Sequence, residues 1–329
     1  MERRDAIIEL KELTIGYRSK GDRREVAQNI NATLRSGELT AVLGANGVGK
    51  STLIRTITKA QRALSGEVNL QGRALREYSA QELAQIISVV LTEKLELKNT
   101  TLFDLVSMGR APYTGFWGAL EKGDIDIVEE SLEKVNISHL RDRMVDTLSD
   151  GERQKAMIAK ALAQQTEMII LDEPTAFLDF PSKVETMHLL HRLAKQLGKT
   201  IMMSTHDLDL ALQIADRVWI MDSGGVHVGV PEDLALDGTL SRFFQRKGVI
   251  FDMQQGLFRI DYQSNRKAQL IGEGDSYTMA RKALMRCGVS VVESPAELVI
   301  KAFEGGFEVE FNGNRASAQT IEQMLELIL

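Results

Sequence analysis

A single cysteine, Cys287, stands in 329 residues. An internal disulfide framework is therefore excluded, which suits a reducing cytoplasm. An excess of basic residues is also lacking: the formal net charge is −6, so the chain has no electrostatic footprint for nucleic acid. No apolar run reaches the roughly eighteen residues of a membrane-spanning helix, so any pore must come from another polypeptide. Met1-Glu2-Arg3-Arg4-Asp5 leads into a strand pattern without the apolar stretch of a signal peptide. Internal repeats and low-complexity linkers are missing too. What is present is ordinary for a globular protein, 43% hydrophobic and 26% charged. The length suffices for one large domain plus a smaller one.

Residues 44–51 read Gly-Ala-Asn-Gly-Val-Gly-Lys-Ser and fill the phosphate-loop pattern G-x-x-x-x-G-K-[ST]. Gly44, Gly47 and Gly49 let the backbone turn tightly and present its N–H groups to phosphate oxygens. Lys50 supplies a mobile positive charge, and the Ser51 hydroxyl can hold Mg²⁺. Leu39–Leu43 predicts a short buried strand before the loop. Thr52–Ile57 predicts a helix after it, with Leu53, Ile54 and Ile57 apolar. The pattern points to a bound nucleoside triphosphate.

Three further stretches add chemistry. Met168–Leu171 is an apolar run ending in Asp172 and Glu173. A buried parallel strand would put these carboxylates at its carboxyl end, where α/β sheets bind ligands. Asp172 can then orient Mg²⁺ or its waters, and Glu173 can polarise a water for attack on the γ-phosphorus. Ser149 with Glu152 forms a capping-box pattern that opens a helix, and a helix N-terminus suits a phosphate. Ser204-Thr205-His206-Asp207 follows another apolar strand, and a histidine there can donate to the γ-phosphate or the attacking water.

These four stretches, in this order, resemble the nucleotide-binding subunit of ATP-binding-cassette (ABC) transporters. The resemblance covers roughly residues 6–247, about three quarters of the chain. It implies a Walker A loop at Gly44–Ser51, in which Gly44, Asn46, Gly47, Gly49, Lys50, Ser51 and Thr52 hold ATP. It also implies a Walker B strand ending at Asp172, Glu173 as catalytic glutamate and His206 as switch histidine. Leu148–Glu152 matches the ABC signature loop, Phe177-Leu178-Asp179 the D-loop, and Tyr17 the aromatic residue that stacks on adenine. Two such subunits are expected to pack head to tail as a homodimer. Each ATP then lies between one Walker A loop and the partner's Ser149–Gly151, with Asp179 nearby.

Two departures from the family pattern matter. Asp150 stands where most of the family has a second glycine, so its carboxylate is expected to face solvent or a basic neighbour. The family's glutamine between Walker A and signature has no counterpart in Ile87–Lys94; Glu93 is nearest and is assigned to Mg²⁺ with Ser51 and Asp172. Val106–Tyr113, with its Gly109-Arg110-Ala111-Pro112 core, looks like a segment of ABC ATPases serving iron-siderophore, haem and cobalamin importers.

The expected fold is α/β: a phosphate-loop ABC ATPase domain over 1–247, with a mixed sheet core, an antiparallel β subdomain and a helical subdomain. Residues 248–329 form a small C-terminal α/β appendage of regulatory or dimer-stabilising role. In it we expect a hairpin about Gln255-Gly256, a helix near 276–286, a strand Val289–Val292, a hairpin at Gly305-Gly306 and a helix over 317–328. Gly272-x-Gly274 hints at a dinucleotide turn, but Tyr277 stands where its third glycine belongs. Two functions stand. One is the ATP-hydrolysing subunit of an importer of an iron chelate, haem or cobalamin. It would sit on the cytoplasmic face of the inner membrane, bound to transmembrane permease subunits and served indirectly by an extracytoplasmic substrate-binding protein. The other is a soluble ABC ATPase that regulates or assembles another complex.

Overall fold

The computed structural model describes residues 5–19, 22–92, 98–115, 118–222, 225–244, 249–252, 256–260, 266–311 and 313–328. Glu93 lies outside these residues, as does Gln255 of the appendage hairpin. The chain divides into two compact units, Met1–Phe243 and Phe244–Leu329.

In the first unit the chain runs through β1 (Ala6–Ser19), β2 (Asp22–Arg35), β3 (Leu39–Gly44), α1 (Lys50–Ile57), β4 (Ser65–Leu70), β5 (Arg73–Ala74), α2 (Ala80–Ile86) and β6 (Ile87–Val90). There follow α3 (Leu102–Ser107), α4 (Lys122–Lys134), α5 (Asp150–Ala163), β7 (Met168–Asp172), α6 (Phe180–Leu197) and β8 (Thr200–Ser204). The unit closes with α7 (Leu208–Ile214), β9 (Arg217–Asp222), β10 (Gly225–Gly229), α8 (Pro231–Leu236) and α9 (Thr239–Phe244).

Two sheets and a helical layer result. The antiparallel sheet has the order β2-β1-β4-β5, and the six-stranded sheet β10-β9-β3-β8-β7-β6. Strands β9, β3, β8, β7 and β6 pair in parallel, and β10 adds an antiparallel edge. β3 and β8 are buried along their whole length, as strands covered on both faces must be. Ile8, Leu13, Ile15, Ile30 and Leu34 meet Leu53, Ile54, Ile57 and Trp219 in one core. The central parallel strands β3, β7 and β8 therefore end together, and each is followed by one of the motifs read from the sequence.

The helical layer, α3 to α5, has its own lock. Arg110 is 5% exposed; its guanidinium donates to Asp124 Oδ1, the Ala163 carbonyl and Gln165 Oε1 at 2.8, 2.8 and 3.0 Å, and lies over the Tyr113 ring. A Cβ at Gly109 would stand 2.3 Å from the Lys160 carbonyl oxygen. The Gly-Arg-x-Pro segment is thus a packing device that ties α4 and α5 to the loop after α3. Among the described residues no helix is long and apolar enough to cross a membrane.

The second unit contains the hairpin β11 (Val249–Asp252) and β12 (Leu257–Ile260), then β13 (Arg266–Ile271), α10 (Gly274–Arg286), β14 (Val289–Val292), β15 (Leu298–Phe303), β16 (Gly306–Phe311), β17 (Asn314–Ala318) and α11 (Ile321–Glu326). Its five-stranded sheet has the order β14-β13-β15-β16-β17. Ala268, Leu270, Ile300 and Val309 pack with Ala280, Leu284 and Met324 in a core within the unit. One expectation needs correction. The last helix begins at Ile321, because 314–318 pair instead with β16 and Arg315 bonds Glu310 at 2.9 Å. Gly272, in the incomplete dinucleotide fingerprint, has φ 139°, and a Cβ there would lie 2.2 Å from the Ala302 carbonyl oxygen. Crowding by β15 explains the glycine.

Candidate active site

The loop between β3 and α1 is built around backbone that only glycine accepts. Gly49 has φ 116°, and a Cβ on it would meet Val26 Cγ1 at 2.4 Å. From the first turn of α1, Lys50 turns back beneath the loop. It is 5% exposed, and its ammonium donates to the Gly44 and Ala45 carbonyls at 3.0 and 3.3 Å. Burial lowers its pKa, while the Glu173 and Asp172 carboxylates pull it back up. Ser51 is half-buried and Asn46 and Gly47 are exposed at the loop mouth. The Tyr17 hydroxyl shares a 2.9 Å hydrogen bond with the Thr52 hydroxyl. That bond brings a ring 46% exposed on β1 to the start of α1.

The carboxylates come from the neighbouring strand ends. Asp172 ends β7 and Glu173 follows at φ 50°, in the left-handed region L residues seldom adopt. Its amide donates to the Ser204 carbonyl at 3.2 Å and the Ser204 hydroxyl at 2.9 Å. The Thr92 hydroxyl donates to the Asp172 carbonyl at 2.6 Å. His206 Nε2 lies 2.5 Å from Glu173 Oε1 and 3.3 Å from Lys50 Nζ. One ring nitrogen cannot carry a proton and a free lone pair together. Nε2 therefore donates to Glu173 or accepts from Lys50, one at a time. Lys50, Glu173 and His206, 156 positions apart at the extremes, meet at one point.

The signature stretch lies at the start of α5. Ser149 caps the helix in a reciprocal box with Glu152, at 3.2 Å from the Glu152 amide and with a 2.8 Å return bond from the Ser149 amide. Those bonds, that of the Ser149 amide first, hold the Glu152 carboxyl below its ordinary pKa. Asp150 is exposed. Gly151 faces Ser182 in the first turn of α6: a Cβ there would be 3.2 Å from Ser182 Oγ. Asp179 caps α6 by accepting from the Ser182 amide at 3.0 Å. In the same turn Lys183 Nζ donates to Asp207 Oδ1 at 2.7 Å, and Asp207 also accepts from the Thr175 hydroxyl.

The structure thus brings Lys50, Asp172, Glu173 and His206 together, with Tyr17 and Thr52 beside the loop. Ser149, Gly151 and Asp179 gather at the separate junction of α5 and α6. Sequence reading gave no role to Ser204, Thr92 or the Lys183–Asp207 pair. The signal that finds Ser204 is register: in the parallel β7–β8 ladder it stands opposite Asp172. Among the described residues no group of three or more His, Cys, Asp or Glu could cage a metal. Ser51 and Asp172 carry the hard oxygen donors that could hold Mg²⁺, whose shell is usually completed by phosphates and waters.

A phosphate loop after a central parallel strand, with a carboxylate pair and a histidine ending its neighbours, defines a phosphate-loop nucleoside triphosphatase. Residues 27–176 match the family described as ABC transporter, and residues 265–329 the iron ABC transporter C-terminal domain. An uncharacterized ABC transporter ATP-binding protein of Methanocaldococcus jannaschii is 36% identical over 255 residues, 77% of this chain and 87% of the relative. The ferric enterobactin transport ATP-binding protein of Escherichia coli is 32% identical over 243 residues, 74% of this chain and 88% of the relative. A dimeric ATP-binding cassette solved in a post-hydrolysis state with ADP and Pi is 25% identical. It superposes with a TM-score of 0.59 over 68% of this chain and 98% of that one. The chain belongs to the ATP-binding proteins of ABC transporters and is an ABC-type ATPase.

Proposed function

We propose that this ATPase energises uptake of an iron chelate across the cytoplasmic membrane as the peripheral subunit of an importer. The observation that carries the hydrolytic part is the meeting of Lys50, Glu173 and His206 at one Nε2. The cargo rests on two likenesses, the iron-transporter match of residues 265–329 and the relative that serves ferric enterobactin. Haem and cobalamin, also expected from the Gly109–Tyr113 segment, have no such support. Nor does a soluble assembly ATPase gain any from these relatives.

In this reading the loop from Gly44 to Gly49, with Asn46 and Gly47 at its mouth, wraps the β- and γ-phosphates of ATP, and Lys50 neutralises them. Tyr17 stacks on the adenine, and Thr52 orients its ring. Ser51 and Asp172 hold Mg²⁺, which supplies charge neutralisation of the phosphates; Glu93 is our assignment for the position where the family has glutamine. Glu173 accepts the proton of the attacking water. His206 fixes the Glu173 carboxylate and contacts the γ-phosphate as the water attacks. The solved dimeric relative supports a homodimer; in our reading of it, Ser149 and Gly151 of one copy cover ATP held by the other, with Asp179 at the same face. ATP then favours the closed dimer, and loss of the γ-phosphate reopens it.

The partners are transmembrane permease subunits and, through them, an extracytoplasmic substrate-binding protein. Residues 248–329 regulate or stabilise the dimer. The test is a pull-down of the tagged chain from detergent-solubilised native membranes. A stoichiometric multi-span partner, whose loss abolishes uptake of the ferric chelate, is expected. A soluble partner with no effect on iron uptake would overturn the reading.

A further inference from the structure

Ser204 ends β8 fully buried and level with Asp172 across the parallel ladder. Its hydroxyl has one proton, and the surroundings decide where that proton goes. The Glu173 amide donates to Oγ at 2.9 Å, so Oγ is the acceptor there. The hydroxyl proton is left for Asp172 Oδ1, 2.5 Å away. That distance is at the short end for a hydroxyl donating to a carboxylate oxygen. The Ser204 carbonyl takes the same Glu173 amide at 3.2 Å, so Glu173 keeps its left-handed backbone, φ 50°, on two anchors from one residue.

We propose that Ser204 is a positioning residue for hydrolysis: its single hydroxyl orients Asp172 toward the cation and holds Glu173 at the angle from which it takes the water proton. This rests on the reading of Asp172 as a Mg²⁺ ligand and Glu173 as the base. The two carboxylates sit next to each other in sequence but point their chemistry at different groups. A shared donor–acceptor between them keeps the two settings in step. Partners that orient a metal ligand commonly change metal affinity 10- to 100-fold when removed, on the order of magnitude seen for such groups. A merely structural serine, present only to satisfy the Glu173 amide, would lower thermal stability and leave the cation requirement alone.

The test uses the full chain with Ser204→Ala and Ser204→Thr, beside Asp172→Asn and Glu173→Gln. The readouts are the Mg²⁺ concentration that half-saturates ATP turnover, the electron paramagnetic resonance spectrum of Mn²⁺ bound with a non-hydrolysable ATP analogue, and the melting temperature. Ser204→Ala is expected to raise the half-saturating Mg²⁺ by about 10-fold or more, alter the Mn²⁺ spectrum, lower kcat and leave KM for ATP near that of the unaltered chain. Ser204→Thr, which keeps a hydroxyl, is expected to restore the cation dependence; where it does not fold, the alanine variant decides alone. An unchanged Mg²⁺ dependence and Mn²⁺ spectrum in Ser204→Ala, while Asp172→Asn shifts both, would overturn this inference and spare the parent reading. If Asp172→Asn shifts neither, the parent reading fails and Ser204 falls with it.

Discussion

At the scale of single residues, the site is set by groups whose surroundings leave them one task each. Lys50 is buried, its charge penalised by desolvation and partly restored by Asp172 and Glu173. Its ammonium gains most when phosphate oxygens replace carbonyl partners. Lys50→Ala should therefore weaken ATP binding by at least about 10-fold, a loss of roughly 1.4 kcal/mol, with little change in melting temperature. Equilibrium titration with a fluorescent ATP analogue measures it. Tyr17 offers a sharper case. If its ring faces the base, Tyr17→Phe should bind nearly as well as the unaltered chain. Tyr17→Ala should lose about 1–3 kcal/mol, the usual worth of base–aromatic stacking. Equal affinity for Tyr17→Ala would remove the ring from the site.

The same residues show what a sequence discloses. Gly44–Ser51 was readable because each requirement there is local: a turn, a free amide, a charge one helical turn along. Asp172 and Glu173 were readable from a short apolar run that ends in paired carboxylates, the pattern of a buried strand. Ser204 was not, because its task depends on which strand lies beside β7 and in which register. Arg110 was noticed as part of a pattern. Its reason, an ion pair at 2.8 Å with Asp124 and a bond to the Ala163 carbonyl, exists only once three helices have packed.

Among the elements, α6 is the junction of the first unit. Its N-cap is Asp179, Ser182 faces Gly151, and Lys183 pairs with Asp207, the neighbour of His206. Lys183→Met should leave ATP affinity intact and lower turnover several-fold, since Asp207 loses one of its two partners; single-turnover kinetics separate the two effects. Gly151→Ala meets only the end of the Ser182 side chain, so its stability cost should stay within about 1 kcal/mol. Hydrolysis should nevertheless fall steeply if the Gly151 backbone must approach the partner's nucleotide. Near-normal turnover would mean that it does not.

The capping box of α5 also makes a contribution to stability that is measured apart from nucleotide contact. Ser149→Ala should cost about 1 kcal/mol. Because the Glu152 carboxyl sits below its ordinary value, its contribution is present above the unfolded pKa of about 4.3. It is lost as pH falls through the lower folded value. Melting temperatures of the unaltered and Glu152→Gln chains should therefore draw together at acid pH. At this scale sequence reading placed α5, β7 and β8 well, because capping and apolar periodicity speak for themselves. It starts the last helix at 317, where the structure still has the end of β17. Ala316, Ser317 and Ala318 carry no strand preference, and only the pairing of β17 with β16 decides their state.

Taken whole, the chain joins a hydrolytic cassette to a second unit with its own core. Ala268, Leu284, Ile300 and Met324 are buried within that unit alone. Residues 244–329 expressed by themselves should consequently melt in one cooperative transition by circular dichroism; a structureless product would show that their core depends on the rest. The iron-transporter match lies in this unit, and its fold is legible in the sequence only as strands, two hairpins and two helices, with no complete residue pattern that names a ligand.

The central claim is that ATP glues two copies and that Glu173 ends the contact by hydrolysis. The most direct measurement is sedimentation and ATP turnover of Glu173→Gln beside the unaltered chain. The account predicts that the variant binds ATP, turns over at least about 100-fold more slowly, and sediments as a dimer with ATP and as a monomer without it. Turnover equal to that of the unaltered chain, with no ATP-dependent dimer, would contradict it.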